Sequence, residues 1–214
     1  LAYMGKRGMG ALEFRPSRAG NTRSSAPLQM ASLVELARRA VQGTLSDDDA
    51  SANALNSIIS VGTSAGGARA KAVLGWNPES GELVSGQFDL PDGFEPWLLK
   101  FDGMGLDRAL GPSQQYGRIE YAYSRMASAA GVVMSPCRLL RENGRAHFMT
   151  RRFDRVDNQK VHVQSLCALR HMDYNLRQTH AYESLMLTAT EMRLGDEAMN
   201  QLFRRMAFNV AASN

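Results

Sequence analysis

What most restricts this fold is a change of period along the chain. Residues 71–155 are written in short β-like runs, and the residues after them in helical repeats. The runs are "KAVLGWN" at 71–77, "ELVSGQF" at 82–88 after the turn "PESG", and "WLLKFD" at 97–102 after the Pro/Gly punctuation "LPDGFEP". Runs this short, separated by turn residues, predict a small antiparallel sheet. "YGRIEYAYSRMASAA" at 116–130 brings Ile119, Ala122, Met126 and Ala130 to one face and is followed by Gly131, so a helix lies against that sheet. "VVMSPCRLLRE" and "RAHFMTRRFDR" flank Asn143-Gly144, a pair suited to a type I′ turn because both central positions need positive φ. Beyond Arg155 the segments 163–171, 181–195 and 196–212 are helical, and their Leu, Met and Phe stripe reads as core packing rather than as a cofactor box.

Ahead of the sheet, residues 28–41 place Leu33, Leu36, Ala37, Ala40 and Val41 on one side of a helix that stops at Gly43. Ser46 followed by Asp47, Asp48 and Asp49 then caps a second helix reaching about Ile59. The expected order is therefore α+β. Residues 1–60 form a helical lead-in, 61–158 a sheet unit with a Gly-rich loop, and 159–214 the start of an all-helical part, with the seam near 155–162. A chain of 214 residues can bury a sizeable core.

Several function classes are disfavoured at once. No apolar run approaches the ~20 residues that span a bilayer, so no membrane partner is expected. Residues 1–20 lack the pattern of a signal peptide, and Leu1 is not an initiator, so the chain reads as an internal piece of a cytoplasmic protein. Cys137 and Cys167 have no partner at a metal or CxxC spacing and read as reduced core thiols. The net charge of +4 is too small to demand nucleic acid. The cluster Arg138, Arg141, Arg145, Arg151, Arg152 and Arg155 reads as a solvated face, with a nucleic-acid surface as the alternative. His147 and His171 read as structural, and His162 and His180 as polar residues flanking the seam.

Two features ask for chemistry. "GTSAGGARAKAVLG" at 62–75 puts Ser64, Ala65, Gly66, Gly67 and Ala68 beside Arg69 and Lys71. A loop stripped of side chains exposes backbone N–H groups that can form an anion nest, and the neighbouring cations suit phosphate. Lys100 is a cation inside an apolar strand, which calls for an anionic target. Together these point to nucleotide triphosphate handling, although neither GxxxxGK[ST] nor a GxGxxG opening a helix is present. From composition alone a flexible turn and a snorkelling lysine stay open.

The ordered set "SAGGARAKAVL", "WLLKFDG", "EYAYSRMASAAGV", "RRFDR", "HVQSLCAL" and "YESL" closely resembles the HipA family, bacterial serine/threonine kinase toxins of type II toxin–antitoxin modules. Residues 1–14 resemble the segment that enters that kinase core. The resemblance implies a protein-kinase-like bilobal fold, a small antiparallel sheet with helices followed by an all-helical lobe. It makes 64–71 the phosphate loop, with Ser64 as an autophosphorylation site, and makes Lys100 the lysine that meets ATP phosphates. Phosphate on Ser64 would bring about −2 charge into that loop and oppose ATP. Arg151, Arg152 and Phe153 match the hinge that holds adenine, although the family often carries an acidic residue where Arg151 stands. Fold analogy pairs Glu120 with Lys100.

The same resemblance implies ATP and Mg2+ as cofactors. No residue of the chain matches the family's catalytic aspartate or its second metal-binding aspartate, and both are expected beyond Asn214. The closing "FNVAASN" resembles the helix that leads into the catalytic loop, which puts Asn214 at the mouth of the active site without making it the base. The resemblance implies as partners a HipB-like helix-turn-helix antitoxin, operator DNA reached through it, and a protein substrate with a Ser/Thr acceptor. The alternatives are a binding module for the antitoxin–DNA complex and a small-molecule kinase of related build.

Overall fold

The computed structural model describes residues 8–16, 71–86, 89–102, 115–142, 144–157, 159–173, 175–176 and 180–213. The two helices expected over 28–41 and 46–59, the loop residues Ser64, Ala65, Gly66, Gly67, Ala68 and Arg69, and Asn214 lie outside them. The described residues are α+β. The strands are β1 (Lys71–Trp76), β2 (Leu83–Ser85), β3 (Glu95–Lys100), β4 (Cys137–Glu142), β5 (Arg145–Arg151), β6 (Arg155–Val156) and β7 (Gln159–Lys160). The helices are α1 (Tyr116–Ala129), α2 (Leu166–Leu169), α3 (Tyr182–Glu191) and α4 (Asp196–Ala211). The chain divides into one unit of residues 1–121 and 135–163 and a second of residues 122–134 and 164–214.

In the first unit, β2-β1-β3-β5-β4 form a five-stranded antiparallel sheet and β6-β7 a two-stranded one. The β4–β5 hairpin closes through Gly144 at φ +76°, the left-handed conformation its turn requires. One sheet face stacks Ala72, Leu74, Trp97, Leu99 and Met149, all buried, with Trp76 and Trp97 meeting edge to face at 5.7 Å. Arg138 lies over the Trp76 ring at 4.1 Å while remaining exposed, so this member of the arginine cluster packs on the sheet and still faces water.

Helix α1 reaches the sheet because of a glycine. A Cβ built on Gly117 would sit 1.9 Å from the Ala146 carbonyl oxygen, so any side chain here would lift the helix off β5. Three residues on, nearly one turn away, stands Glu120.

In the second unit, Gly131 ends α1 at φ +77°, as a left-handed C-cap does. Side chains of α4 satisfy the carbonyls beyond it: Gln201 Nε2 donates to Gly131 O (3.1 Å), Arg204 to Ala130 O (3.4 Å), and Arg205 to Val133 O. Gln201 Oε1 also accepts from Val133 N–H at 2.8 Å. The apolar stripe of the C-terminal helices does not form the core that its spacing predicts. Helix α4 contains no buried residue, and Leu187, Phe203 and Val210 are exposed among the described residues. Helices α3 and α4 can each cover only one stripe of the other. The cysteines correct the reading in the same direction, since both are half-buried free thiols rather than core residues.

Candidate functional site

Two lysines face each other across the β1–β3 ladder, Lys71 opposite Lys100, on the same side of the sheet. Lys100 Nζ donates to Glu120 Oε2 at 2.5 Å, and the ring of Phe148, opposite Lys100 on β5, lies 5.7 Å from the ammonium. Lys71 is only 8% exposed. Like charges directly opposite destabilise a sheet, and the Glu120 carboxylate on Lys100 offsets that opposition. The lysine in the apolar strand is thus held by the carboxylate that Gly117 lets approach.

The second half of the site is the end of β5 and the residues after it. Arg151, Arg152 and Phe153 line a 520 Å³ cavity together with Phe94, Pro96, Ser135, Pro136, Arg155, Val156 and Asp157. Arg151 N–H donates to Pro136 O and Arg152 N–H to Pro96 O, each at 2.9 Å, so both flanking strands grip this segment. The Arg151 side chain pairs with Glu95 at 3.4 Å. Phe153 is 66% exposed and presents its ring instead of burying it.

Phe153 is turned outward by a buried ionic clamp that sequence reasoning missed. Asp154 is 0% exposed and takes the Arg152 guanidinium as a fork, Nε to Oδ1 at 2.8 Å and NH2 to Oδ2 at 2.7 Å. Arg155 NH1 adds a bond to Oδ2 at 3.0 Å, and Gly10 N–H another at 2.8 Å. Arg155 also donates to the carbonyls of Gly8 (3.3 Å) and Gly10 (3.2 Å). Lys160 reaches Glu13 at 2.7 Å. Residues 8–16 are thereby stapled to the segment after β5. Burial pushes the Asp154 carboxyl up, but the Arg152 fork, the Gly10 N–H and the nearby guanidinium charges outweigh it and hold the group below the usual carboxylate range. An Arg-x-Asp within "RRFDR" is the signal that could have found this clamp. It places Arg152 and Arg155 among buried partners, correcting their assignment to a solvated face.

His147 is structural, as expected, and its role is specific. It is 0% exposed, its Nδ1 accepts from Asp102 N–H at 2.9 Å, and its ring meets Phe101 edge to face at 5.7 Å. Arg145 donates to Asp102 O at 3.1 Å. Histidine and arginine together fix the chain just after Lys100. Burial holds the imidazole below its ordinary value against the opposing pull of Glu142 and Asp102.

The pattern defining the HipA-like C-terminal domain matches residues 63–214, well over half of the chain. The chain belongs to the HipA-like C-terminal domain family. No curated protein was found to match it. The described part of this HipA-like domain brings Lys71, Lys100 and Glu120 together on β1, β3 and α1, and Arg151, Arg152 and Phe153 onto one cavity wall. Asn214, expected at the mouth of the site, is the last residue of the family match and lies outside the described residues, as do Ser64, Ala65, Gly66, Gly67 and Ala68 of the expected phosphate loop. No helix among the described residues is long and apolar enough to cross a membrane. No three His, Cys, Asp or Glu side chains among them come together as a metal site, and none is assigned to Mg2+.

Proposed function

We propose that the chain is the nucleotide-binding part of a HipA-like serine/threonine protein kinase, a toxin of a bacterial toxin–antitoxin module that passes the γ-phosphoryl group of ATP to a hydroxyl. The observation that carries this reading is the Lys100–Glu120 pair at 2.5 Å, in an apolar strand with Lys71 directly opposite. In protein kinases a strand lysine held by a helix glutamate meets the nucleotide phosphates. Two lysines share that side of the ladder, where their positive charge favours a phosphate.

The cavity beside 151–153 suits the base, with Phe94 and Phe153 as apolar surfaces for a flat ring. In this reading the sheet unit is the nucleotide lobe of a kinase-like bilobal fold and the helical unit the start of the other lobe. Residues 64–68 cradle the phosphates with Lys71, and Ser64 is the self-inhibitory acceptor, since its phosphate would repel ATP. Mg2+, a HipB-like helix-turn-helix antitoxin with its operator DNA, a Ser/Thr protein substrate and a cytoplasmic setting belong to the same proposal. Family membership supports the HipA-like toxin–antitoxin context from which they are drawn.

The test is thermal unfolding with and without Mg-ATP. At a concentration 100 times Kd, binding adds about 2.7 kcal/mol of stability. Lys100→Met should abolish the resulting rise in Tm, and in a protein that carries the aspartate loop expected beyond Asn214, sequencing of the phosphorylated peptide should find phosphate on Ser64. No rise, or a rise undiminished in Lys100→Met, would refute the nucleotide reading.

A further inference from the structure

Of the six arginines from Arg138 to Arg155, four have polar partners. Arg145 donates to Asp102 O, Arg151 pairs with Glu95, and Arg152 and Arg155 share Asp154. The other two stand on β4, which forms one edge of the five-stranded sheet. Arg138 and Arg141 are both exposed, and among the described residues neither meets a carboxylate. Arg138 is nonetheless held in place, because its guanidinium lies on the Trp76 ring. The backbone of this edge is open as well. Arg151 N–H donates to Pro136 O, and the register sets Arg138 opposite Met149, Leu140 opposite His147 and Glu142 opposite Arg145, so these residues of β4 turn their N–H and C=O toward β5. Cys137, Leu139 and Arg141 turn theirs outward, and among the described residues those groups make no hydrogen bond. Edge strands are commonly blunted by short length, by proline, by a bulge or by charge. Strand β4 runs six residues in unbroken register without a proline, so charge is its guard.

We infer that the β4 edge is a docking site for an extended acidic segment of a partner protein, which joins the sheet as a further strand. This surface does not depend on the nucleotide reading. Side chains alternate along a strand, so Arg138 and Arg141, three residues apart, project from opposite faces and straddle the edge. A residue on an added strand shares the face of the residue it stands opposite. Two acidic residues three apart therefore meet both guanidinia at once, while two apolar residues between them cover the half-buried Leu139 and Leu140. The segment that fits reads acidic, apolar, apolar, acidic, the complement of Arg138-Leu139-Leu140-Arg141. A slip of one residue would send each acid to the wrong face. A second copy of this chain is a poor occupant, because pairing β4 with itself brings four arginines to one seam. Nucleic acid fits less well too, since phosphate tracking wants cations gathered on one face and these two stand on opposite ones.

The experiment is fluorescence anisotropy with a short labelled peptide centred on Glu-Val-Val-Glu. It is set against a peptide centred on Lys-Val-Val-Lys and one whose two glutamates are adjacent. Wild type should bind the first in preference to both. Arg141→Glu, which leaves Trp76 its arginine, should weaken that binding about fivefold or more, because a like-charge pair replaces an opposite one. Arg138→Glu combined with Arg141→Glu should turn the preference toward the lysine peptide, a gain that an unfolded variant cannot show. Methylating peptide nitrogens at alternate residues leaves the protein untouched: it should block binding in the phase whose N–H groups face β4 and spare it in the other. Equal binding of the three peptides, an unchanged preference in the double variant, or blocking that ignores the methylation phase each overturns the proposal. So does a wild type that binds no peptide. A short DNA duplex that binds more tightly than the peptide, and is lost in the double variant, would give the edge to nucleic acid instead.

Discussion

Asp154→Asn tests whether the clamp after β5 is what holds this part of the unit together. The substitution keeps the side-chain volume but removes the one negative charge shared by Arg152 and Arg155, and it turns an amide N–H₂ toward at least one guanidinium. Four donors converge on that carboxylate at 2.7–3.0 Å, and the group is 0% exposed. Breaking one partner of a buried ion pair costs about 3–5 kcal/mol, because the partner's charge stays buried without compensation. Against a typical total of about 5–15 kcal/mol, that is a large share of the stability. With a urea slope of about 2 kcal/mol per molar, the midpoint should fall by about 2 M. Trp76 and Trp97, in contact at 5.7 Å in the same unit, supply the fluorescence probe.

The exposed pair Arg170–Glu191, with side chains 41% and 48% accessible, is the control, and Arg170→Ala should cost under about 1 kcal/mol. Because the native Asp154 carboxyl lies below its ordinary 3.8, its contribution is complete above that pH and is lost as pH falls through and below it. Asp154→Asn should therefore flatten the acid limb of stability. A loss no larger than the Arg170→Ala control, with the acid limb unchanged, would refute the reasoning.

Gly117→Ala should cost about 1–3 kcal/mol and weaken ATP binding, because its Cβ must push α1 away from the Ala146 carbonyl and draw Glu120 off Lys100; urea unfolding and calorimetry check the two effects. His147 is held neutral in the fold below its ordinary 6.5, so its contribution is complete above that pH and declines as pH falls below it. His147→Asn, which can keep an acceptor for Asp102 N–H, should remove that decline from a pH series of urea midpoints. Gln201→Ala removes two bonds to the chain after α1 and should lower the stability of the helical unit by about 1 kcal/mol, with faster exchange of the Val133 amide as the local readout.

The sequence by itself determined the local order of this protein. Alternation and turn residues located β1, β3 and the Gly144 hairpin, and a 3.6-residue repeat closed by a left-handed glycine located α1, because these signals depend on neighbours a few residues away. A cation in an apolar strand also drew attention to Lys100 without any structure, and the fold leaves that lysine half-buried against Glu120. Only the tertiary structure decided which residues meet. That Lys71 faces Lys100 is a matter of register. That Asp154 reaches back to Gly10 joins residues 144 positions apart. The arginines of one short cluster divide among a ring, a carbonyl and a buried carboxylate, and the C-terminal Leu and Phe stripe stays exposed. Periodicity says that a face is apolar or that a group is charged. What covers that face, and which charge finds a partner, is fixed by the non-local packing of strands and helices.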